Sequence, residues 1–402
     1  MGQAWIAALG ATLLMQAVAS FMMHSLPVIA PLLTGAVGLA PEAIGNLSAI
    51  NAFGTVLFLA FGGPVLARLG PIRMLQAGTT LSAFGLLTIA LGTVPALGIA
   101  ALLLGIGYGP TPPAGSRILA ATAPPGHRTL IFSVKQAGAP LGGMLAGLVT
   151  APVASAFGWA AALVVCAAAA FVSAALIQPL RTTLDAERDP RRLLHPRAMF
   201  SPTTLAAPYT ALRLSPLLPP LTLLAVSFAI VQGCLFSFTV TWLVEARGLS
   251  LVQAGSAFAA MQGAGVAARI ALGWLADRTG RPSANLVVQG FAAAVVVLIF
   301  AALPAGAGML LTSGLAALAG FVAASWNGIY LAEVARLAPR DRVSDATSGS
   351  TLFTFLGYVA GPALFALLVR LTGGWGVPMI AIAAQLAAVS ALVAPMLLRR
   401  SR

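Results

Sequence analysis

The chain has 402 residues, of which 59% are hydrophobic and only 8% are charged, and its formal net charge is +13. An average soluble domain has about 25% charged residues, so the composition excludes a soluble enzyme, a nucleic-acid-binding protein and a disordered chain. In a membrane protein, an excess of arginine is mainly a signal of topology. Cys166 and Cys234 both lie in apolar runs, so neither a disulfide framework nor a metal site is predicted, and no cofactor is expected.

Runs of about 20 mostly apolar residues, the length that crosses the hydrocarbon core of a bilayer, recur along the whole chain. They predict an all-α membrane protein with about twelve transmembrane helices. The first run has no basic region before it, so we interpret it as an uncleaved first helix. The predicted spans are residues 5–32, 43–66, 73–92, 96–121, 129–153, 156–180, 217–244, 251–276, 284–304, 307–335, 345–369 and 376–398.

The distribution of lysine and arginine predicts the orientation of these spans. When the N-terminus is placed inside, only Arg247 and Arg370 fall in outer loops, while Arg117, Lys135 and Arg269 fall within spans. The other 17 of the 22 basic residues lie in inner loops or at the C-terminus. Because cytoplasmic loops carry the excess of basic residues, both termini are predicted to be cytoplasmic. All basic residues except Lys135 are arginine, a bias typical of GC-rich bacteria, so the predicted location is a bacterial inner membrane.

The longest polar stretch, residues 181–215, separates two sets of six spans, and we interpret it as a solvated cytoplasmic linker. We therefore expect an N-terminal bundle over residues 1–180 and a C-terminal bundle over residues 216–402. The halves also repeat glycines at fixed offsets of 210 and then 215 residues. Parallel repeats of this kind build transporters whose substrate site lies near the membrane midplane between the halves. The repeated pairs are Gly63 and Gly273, Gly70 and Gly280, Gly105 and Gly320, and Gly142 and Gly357.

The segment between the eighth and ninth spans reads Gly273-Trp-Leu-Ala-Asp277-Arg278-Thr-Gly280-Arg281. It resembles the G-x-L-A-D-R-x-G-R signature of the major facilitator superfamily, which lies in the loops after the second and eighth helices. The resemblance implies two pseudo-symmetric six-helix bundles and secondary transport, with the motif acting as a latch for one conformation. Its glycines would permit close helix approach and a tight turn, and Asp277 would cap the next helix or pair with an arginine.

An altered copy of this motif follows the second span. Arg68 and Gly70 match the signature, but Ala67 replaces the acid and removes the charge that a latch would need there. The fourth span departs from the superfamily as well, because Ala101 stands where many members carry an arginine.

Ionisable groups at bilayer depth are functional by default, and Arg269 is the first candidate. It lies about 12 Å into its helix from Asp277, with Gln262 on the same face. The stretch from Arg269 to Gly273 resembles the eighth helix of monocarboxylate transporters and oxalate/formate exchangers, in which the matching arginine binds the substrate carboxylate. In the superfamily fold the fifth helix faces the eighth, so Lys135 would lie opposite Arg269. The alternatives are an inter-helix bond of Arg269 and snorkelling of either side chain to the headgroups.

Three residues are candidates for gating or proton coupling. Apart from Asp345, the first residue of the eleventh predicted span, Glu333 is the only acid within a predicted span. It could pair with Arg117 as a gate or, in the interpretation we prefer, with Arg336 three residues on. His24 is the only histidine within a span and could carry a coupling proton, although its place near the outer end of the first helix also suits an ordinary interfacial histidine.

Polar and aromatic residues on the first, fourth, seventh and tenth spans, which line the pathway in this superfamily, are candidates for substrate contact. Each could instead be a helix-packing contact, since polar side chains in lipid prefer either a cavity or another helix. Trp326 and Asn327 are the best of them, and the others are Tyr108, Gln232 and Tyr330.

Three bases against one peripheral acid within the spans favour an anionic substrate. The sequence therefore predicts a monomeric secondary transporter that moves a small organic anion, such as a carboxylate, by alternating access and with protons as the coupling ion. No Walker-type phosphate loop is present, which excludes ATP hydrolysis by this chain as the driving force.

The alternative function is proton-driven efflux of neutral or anionic drug-like compounds. The segment Gly138-Ala-Pro140-Leu-Gly142-Gly143 resembles the G-P-x-x-G-G motif of drug exporters, although one residue is missing and Ala139 replaces a glycine. A lipid flippase is a further alternative, since the hydrophobic lateral opening that it needs leaves no mark in a sequence. A sensor is disfavoured because a 35-residue linker and a four-residue tail are poor material for an output domain, and an enzyme because no set of catalytic side chains is present.

Overall fold

The structure is a computed structural model that describes residues 4–124, 128–191, 206, 209–339 and 342–398. Within these ranges every regular element is helical and no strand is present, which confirms the predicted all-α fold. Six of the 17 basic residues assigned to inner loops or the C-terminus lie outside the described residues, namely Arg192, Arg197, Arg340, Arg399, Arg400 and Arg402.

Many helices of the first half begin at or just before a proline, whose fixed φ suits the first turn of a helix. The helices are α1 (Ala4–Ala36), α2 (Ile44–Phe61), α3 (Gly63–Leu69), α4 (Pro71–Thr88), α5 (Val94–Tyr108), α6 (Thr111–Thr122), α7 (Arg128–Gln136), α8 (Gly138–Leu145), α9 (Ala151–Phe157), α10 (Trp159–Leu176) and α11 (Arg181–Leu184).

The helices of the second half are longer, and glycines in the left-handed conformation follow several of them, as is common at helix ends. They are α12 (Leu218–Arg247), α13 (Leu251–Thr279), α14 (Pro282–Ala301), α15 (Met309–Ala323), α16 (Asn327–Leu337), α17 (Val343–Thr372) and α18 (Gly376–Leu398).

Twelve helical segments of the described residues are long and apolar enough to cross a membrane, which confirms the predicted number. They are Trp5–Ala36, Pro41–Phe61, Pro71–Leu91, Val94–Thr122, Ile131–Phe157, Trp159–Leu184, Leu218–Arg247, Leu251–Thr279, Pro282–Ala301, Met309–Leu337, Asp345–Thr372 and Gly376–Leu398.

Several spans extend further at one end than predicted, so they include acids that the predicted bounds left out. These are Glu42, Glu245 and Asp277, which lie within three residues of a span end, as does Asp345, the first residue of the eleventh span in both the prediction and the structure. Glu333 is therefore not the only acid of the spans, because apolarity alone does not mark where a helix stops.

The fourth and tenth spans are broken at equivalent positions. In the fourth, α5 ends at Tyr108 and α6 begins at Thr111, and in the tenth, α15 ends at Ala323 and α16 begins at Asn327. Tyr108 and Ala323 are 215 residues apart, which is the repeat offset of this part of the chain. Pro110 contributes to the first break because it has no backbone N–H to continue the hydrogen bonding of α5.

The described contacts divide the chain into two compact units, one formed by Met1–Leu39 with Ile50–Phe200 and the other by Ala40–Ala49 with Ser201–Arg402. The division into residues 1–180, a linker over 181–215 and residues 216–402 stays a prediction.

The repeated glycines mark the same helix crossings in each unit. A Cβ on Gly105 would overlap the carbonyl oxygen of Asn51, and a Cβ on Gly320 would overlap that of Met261. Asn51 and Met261 are 210 residues apart, and the two glycines are 215 apart. Each glycine therefore allows the backbone of its helix to touch a neighbouring backbone at the equivalent place.

A second pair of crossings repeats in the same way. A Cβ on Gly142 would overlap the carbonyl oxygen of Ala17, and a Cβ on Gly357 would lie 2.6 Å from that of Val226. Ala17 and Val226 are 209 residues apart. The fifth and eleventh spans thus pack on the first and seventh spans in equivalent register, as a duplicated six-helix unit requires.

Candidate functional site

A row of buried polar side chains runs along one face of α1. Thr12, Gln16, Ser20 and His24 follow one another at intervals of four residues, which places them on one side of a helix. The Ser20 hydroxyl donates to the backbone oxygen of Ala139 at 2.6 Å, and Nδ1 of His24 lies 2.8 Å from the backbone oxygen of Ser20. We call these four residues the α1 stripe.

Lys135, near the end of α7, lies beside this stripe. Its side chain is only 1% exposed, so it does not snorkel to an exposed position. A Cβ on Gly115 would lie 2.7 Å from its Cε and 3.8 Å from the Cβ of Thr12. Its ammonium donates a long hydrogen bond of 3.4 Å to Oε1 of Gln136, and within the described residues it forms no ion pair.

Tyr108, at the broken end of α5, contacts the stripe directly. Nε2 of Gln16 donates to the Tyr108 hydroxyl at 3.1 Å. A Cβ on Gly138 would lie 2.9 Å from both Cβ and Cγ of Gln16. Gly138 and Gly142, which the drug-exporter resemblance singled out, therefore both lie against α1.

In the second unit, Gln232 joins three spans through one oxygen atom. Its Oε1 accepts from Nε1 of Trp326 at 2.9 Å, from the Tyr358 hydroxyl at 2.9 Å and from Nδ2 of Asn327 at 3.4 Å. An indole N–H can only donate, so this contact settles which end of the amide faces the cluster. Phe228 stacks on Trp326 with ring centroids 5.5 Å apart. We call these residues the Gln232 cluster.

Tyr330, one turn after Trp326, is held by a separate set of hydroxyl groups. Its hydroxyl lies 3.2 Å from Oγ1 of Thr222, which is 3.5 Å from Oγ of Ser350. Its ring centroid is 5.7 Å from that of Trp326. Tyr330 is thus a buried neighbour of the Gln232 cluster and ties α16 to α12 and α17.

Arg269 and Gln262 lie two turns apart on α13. Gln262 is buried, and its Nε2 has no hydrogen-bond partner within the described residues, whereas Arg269 is half-buried. Gly265 lies between them, and a Cβ there would be 3.8 Å from the backbone oxygen of Gly320. This places the Gly265 side of α13 against α15.

The two candidates for a gate each have partners within their own unit. Glu333 accepts from Nε and Nη2 of Arg336 and from the hydroxyl of Ser283, all at 2.6 Å. The local pair of Glu333 and Arg336 is therefore present. Nη2 of Arg117 donates to the backbone oxygen of Glu187 at 3.2 Å.

The signature motif has different contacts from those expected. Asp277 is exposed, and within the described part of the chain no hydrogen bond or ion pair places it at the start of α14. The N-cap is Arg281, and its neighbour Pro282 has no N–H to be capped. Nothing lies within 4 Å of a Cβ on Gly273, whereas Gly280 ends α13 with φ +63°, as the tight turn requires. Arg278 lies over the ring of Trp274 at 5.2 Å.

In the first-half copy, a carboxylate from elsewhere in the chain caps the helix that follows the motif. Asp185 accepts from the backbone N–H of Ile72 at 2.6 Å and from the backbone N–H and Nη1 of Arg73 at 3.2 and 3.0 Å. Gly70 has φ +91°, and a Cβ there would lie 2.7 Å from Cγ of Asp185. Arg68 is exposed at the end of α3. We call Asp185 with Ile72 and Arg73 the Asp185 cap.

Several of these residues are absent from the candidates of the sequence analysis. The four-residue spacing along α1 indicates a polar helix face and could have identified Thr12, Gln16 and Ser20. Tyr358 and Asp185 had no local signal, because each contacts residues more than 100 positions away in the chain.

Comparison with known sequences decides the family. The sequence profile of the Major Facilitator Superfamily matches residues 12–348. The chain belongs to the major facilitator superfamily (MFS). This confirms the resemblance that the signature after the eighth span indicated.

Two relatives are uncharacterized MFS-type transporters of Mycobacterium tuberculosis, from strains CDC 1551 / Oshkosh and ATCC 25618 / H37Rv. Each is 26% identical to this MFS protein over 278 residues. The match covers 68% of this chain and spans 59% of the length of each relative.

Solved structures share the fold. A bacterial homologue of the human lysosomal transporter Spinster, in an inward-facing and unoccupied conformation, has a TM-score of 0.78 at 17% identity and covers 99% of this chain and 98% of its own. The peptide transporter POT in complex with sulfate has a TM-score of 0.72 at 18% identity, with coverage of 99% and 95%. At these identities the likeness shows the MFS fold alone.

Proposed function

We propose that this MFS protein is a monomeric secondary transporter that moves a small organic anion, such as a carboxylate, across a bacterial inner membrane by alternating access. Both termini would be cytoplasmic. Membership of the superfamily and twelve apolar spans support transport. The breaks in the fourth and tenth spans support it as well, because transporters build their binding sites on discontinuous helices.

Lys135 is the observation that carries the choice of an anion. A buried charge with no opposite charge beside it is strongly destabilising, yet Lys135 is buried and, within the described residues, has no carboxylate partner. An anion about 4 Å from the ammonium would gain about 4 kcal/mol at an effective dielectric constant of 20. A carboxylate substrate would supply the missing charge.

The balance of acidic and basic residues within the spans also supports an anionic substrate. Among the described residues, Glu333 is the one acid more than three residues from a span end, and it is already held by Arg336 and Ser283. The acids at span ends are too peripheral to neutralise a cationic substrate at depth. We propose Arg269 as a second anion contact, with Gln262 two turns away on the same helix face.

The aromatic residues at the break of the tenth span would bind the rest of the substrate. Trp326 and Asn327 lie at this break and share Gln232 as acceptor with Tyr358. Tyr108 occupies the equivalent break of the fourth span, and Tyr330 supports Trp326 from one turn away. We propose that Trp326, Asn327 and Tyr108 contact substrate and that Gln232 positions the first two.

Proton coupling is the remaining part of the proposal. His24 belongs to the α1 stripe that adjoins Lys135, and its imidazole is the side chain that titrates most readily near neutral pH. Arg117 and Glu333 would then act in gating, while a proton that enters with the substrate itself is the other source of coupling.

The test is uptake by proteoliposomes of labelled monocarboxylates and dicarboxylates, with and without a pH gradient. Lys135→Ala and Arg269→Ala should abolish uptake, and Lys135→Arg should retain part of it because the charge remains. Arg370→Ala, which removes an exposed arginine in the last turn of α17, is the matched control and should transport normally. If correctly folded wild type moves no carboxylate, the anion proposal fails.

A second measurement reports on Lys135 directly. It is the single lysine of the chain, so reductive methylation modifies only this side chain and the N-terminal amine. A bound carboxylate should protect Lys135 from methylation, as read by mass spectrometry of its peptide, and should leave the N-terminus unprotected. For coupling, His24→Ala should exchange substrate at equilibrium but lose accumulation driven by the pH gradient.

A further inference from the structure

Gln16 is a residue of the α1 stripe in which only one of the two polar atoms of the side-chain amide has a hydrogen-bond partner within the described residues. It is 2% exposed. Its Nε2 donates to the Tyr108 hydroxyl, while its buried Oε1 accepts from nothing within the described residues. Buried polar atoms in proteins nearly always have a partner, so this oxygen requires an explanation.

A tyrosine hydroxyl can both donate and accept, so the contact with Tyr108 is compatible with either orientation of the Gln16 amide. In the orientation of the structure, the open hydrogen-bonding position is that of Oε1.

This open position adjoins the proposed anion contact. Gly138, which lies against Cβ and Cγ of Gln16, is three residues after Lys135 on the fifth span. A Cβ on Gly115 would lie 2.7 Å from Cε of Lys135 and 3.8 Å from Cβ of Thr12, which is one turn before Gln16. A substrate whose carboxylate lies at Lys135 would thus have its neighbouring carbons beside the Gln16 amide.

We propose that Gln16 is a specificity-determining residue that selects organic anions carrying a hydroxyl group over the corresponding unsubstituted anions. The inference rests on the proposed function. A hydroxyl suits the site because it can donate to Oε1 or accept from Nε2, whichever atom of the amide faces it. A substrate without a hydroxyl leaves the amide unpaired, and sites built to bind a hydroxyl reject such analogues.

The test compares butanoate with its 2-, 3- and 4-hydroxy derivatives as competitors of uptake in proteoliposomes. In wild type, at least one hydroxy isomer should bind about tenfold more tightly than butanoate, the ratio expected for one added hydrogen bond, and the position of its hydroxyl would show the spacing between Lys135 and Gln16. Gln16→Met, of similar volume without polar atoms, should reduce that ratio to about one while butanoate binds as before. Thr12→Val is the matched control, because the Thr12 hydroxyl is already bonded to the backbone of Ala8 at 2.9 Å.

Two outcomes would overturn the inference and leave the proposed function intact. One is equal binding of all four acids by wild type, and the other is an unchanged ratio of hydroxy-acid to butanoate affinity in Gln16→Met. Failure of every acid to bind or move would instead refute the proposed function itself. If Gln16→Met does not fold, the test is instead the protection of Lys135 from methylation in the wild-type protein. The preferred hydroxy acid must then protect at lower concentration than butanoate, and equal protection overturns the inference.

Discussion

Asp185 offers a sharp test of how the first unit is held together. The helix α4 begins at Pro71, and its N-cap Gly70 has no side chain to satisfy the first backbone N–H groups, which lack acceptors within the helix. Asp185 supplies the acceptor from 113 residues away, with bonds to the backbone of Ile72 and Arg73 and to the Arg73 guanidinium. Asp185→Ala removes all three bonds at once.

The expected cost follows from these contacts. Loss of a helix cap costs about 1 kcal/mol, and loss of hydrogen bonds to a charged group costs about 1.5–3 kcal/mol. These terms overlap, and the Arg73 side chain is 28% exposed, so water partly replaces its share. We therefore expect a loss of about 2–3 kcal/mol in the free energy of unfolding. For a unit of about 200 residues this lowers the midpoint of thermal unfolding by about 4–12 °C.

The assay is thermal unfolding of purified protein in detergent, with two companion variants. Asp185→Asn keeps an acceptor for Ile72 but loses the charge, so its midpoint should lie between those of wild type and Asp185→Ala. Asp189→Ala is the matched control, because within the described residues this exposed side chain accepts only from the backbone of Arg191, while its own backbone bond to Ala67 remains. If Asp185→Ala unfolds at the same temperature as Asp189→Ala, Asp185 does not cap α4.

Three further predictions concern packing and hydrogen bonding. Gly320→Ala should lower the free energy of unfolding by about 1–3 kcal/mol or more, because its Cβ would meet the rigid backbone of α13. Gly314→Ala, whose Cβ would have no described atom within 4 Å, should raise that free energy by up to about 1 kcal/mol. Equal thermal midpoints of the two variants would contradict this packing. Gln232→Leu should lower the free energy of unfolding by about 1–3 kcal/mol, because the buried indole N–H of Trp326 loses its acceptor. The double variant Gln232→Leu with Trp326→Phe should lose less stability than the two single variants added together. Glu333→Gln should lower the thermal midpoint but leave the pH dependence of uptake intact, since this carboxylate is engaged by its neighbours; loss of that dependence would make Glu333 a coupling group.

The fold could be predicted from the sequence because length and apolarity alone identify membrane-spanning helices. The bounds of the spans were less predictable, since polar residues such as Glu245 and Asp277 continue a helix beyond its apolar part. The buried state of Lys135 was an open alternative in the sequence. The structure resolves it through Gly115, which leaves room for the lysine side chain beside α6.

Contacts between distant parts of the chain could not be predicted in this way. The signature motif directed attention to Asp277, which is exposed, while the carboxylate that caps a helix at the equivalent loop of the first half is Asp185. A motif in the sequence indicates which loop contains an acid, but a helix N-terminus can be capped by any carboxylate that the fold brings close to it. The Asp185 cap is therefore visible only once α11 is placed beside α4.

The duplication explains why the packing was easier to predict than the site. With the offset of 209 residues between the first and seventh spans, Gln16 and Ser20 correspond to Ala225 and Ala229, and Gln232 corresponds to Met23. Lys135 corresponds to Ser350 at the offset of 215.

Glycines at helix crossings recur in both halves because a side chain there would meet backbone, which cannot move aside. Polar side chains are under no such constraint, since each needs only a partner within its own unit. The first unit accordingly has a buried cation beside a polar helix face, and the second has an aromatic cluster around one amide. A repeat in the sequence thus predicts the shared backbone geometry of the two units, whereas the chemistry of each unit has to be read from its own side chains.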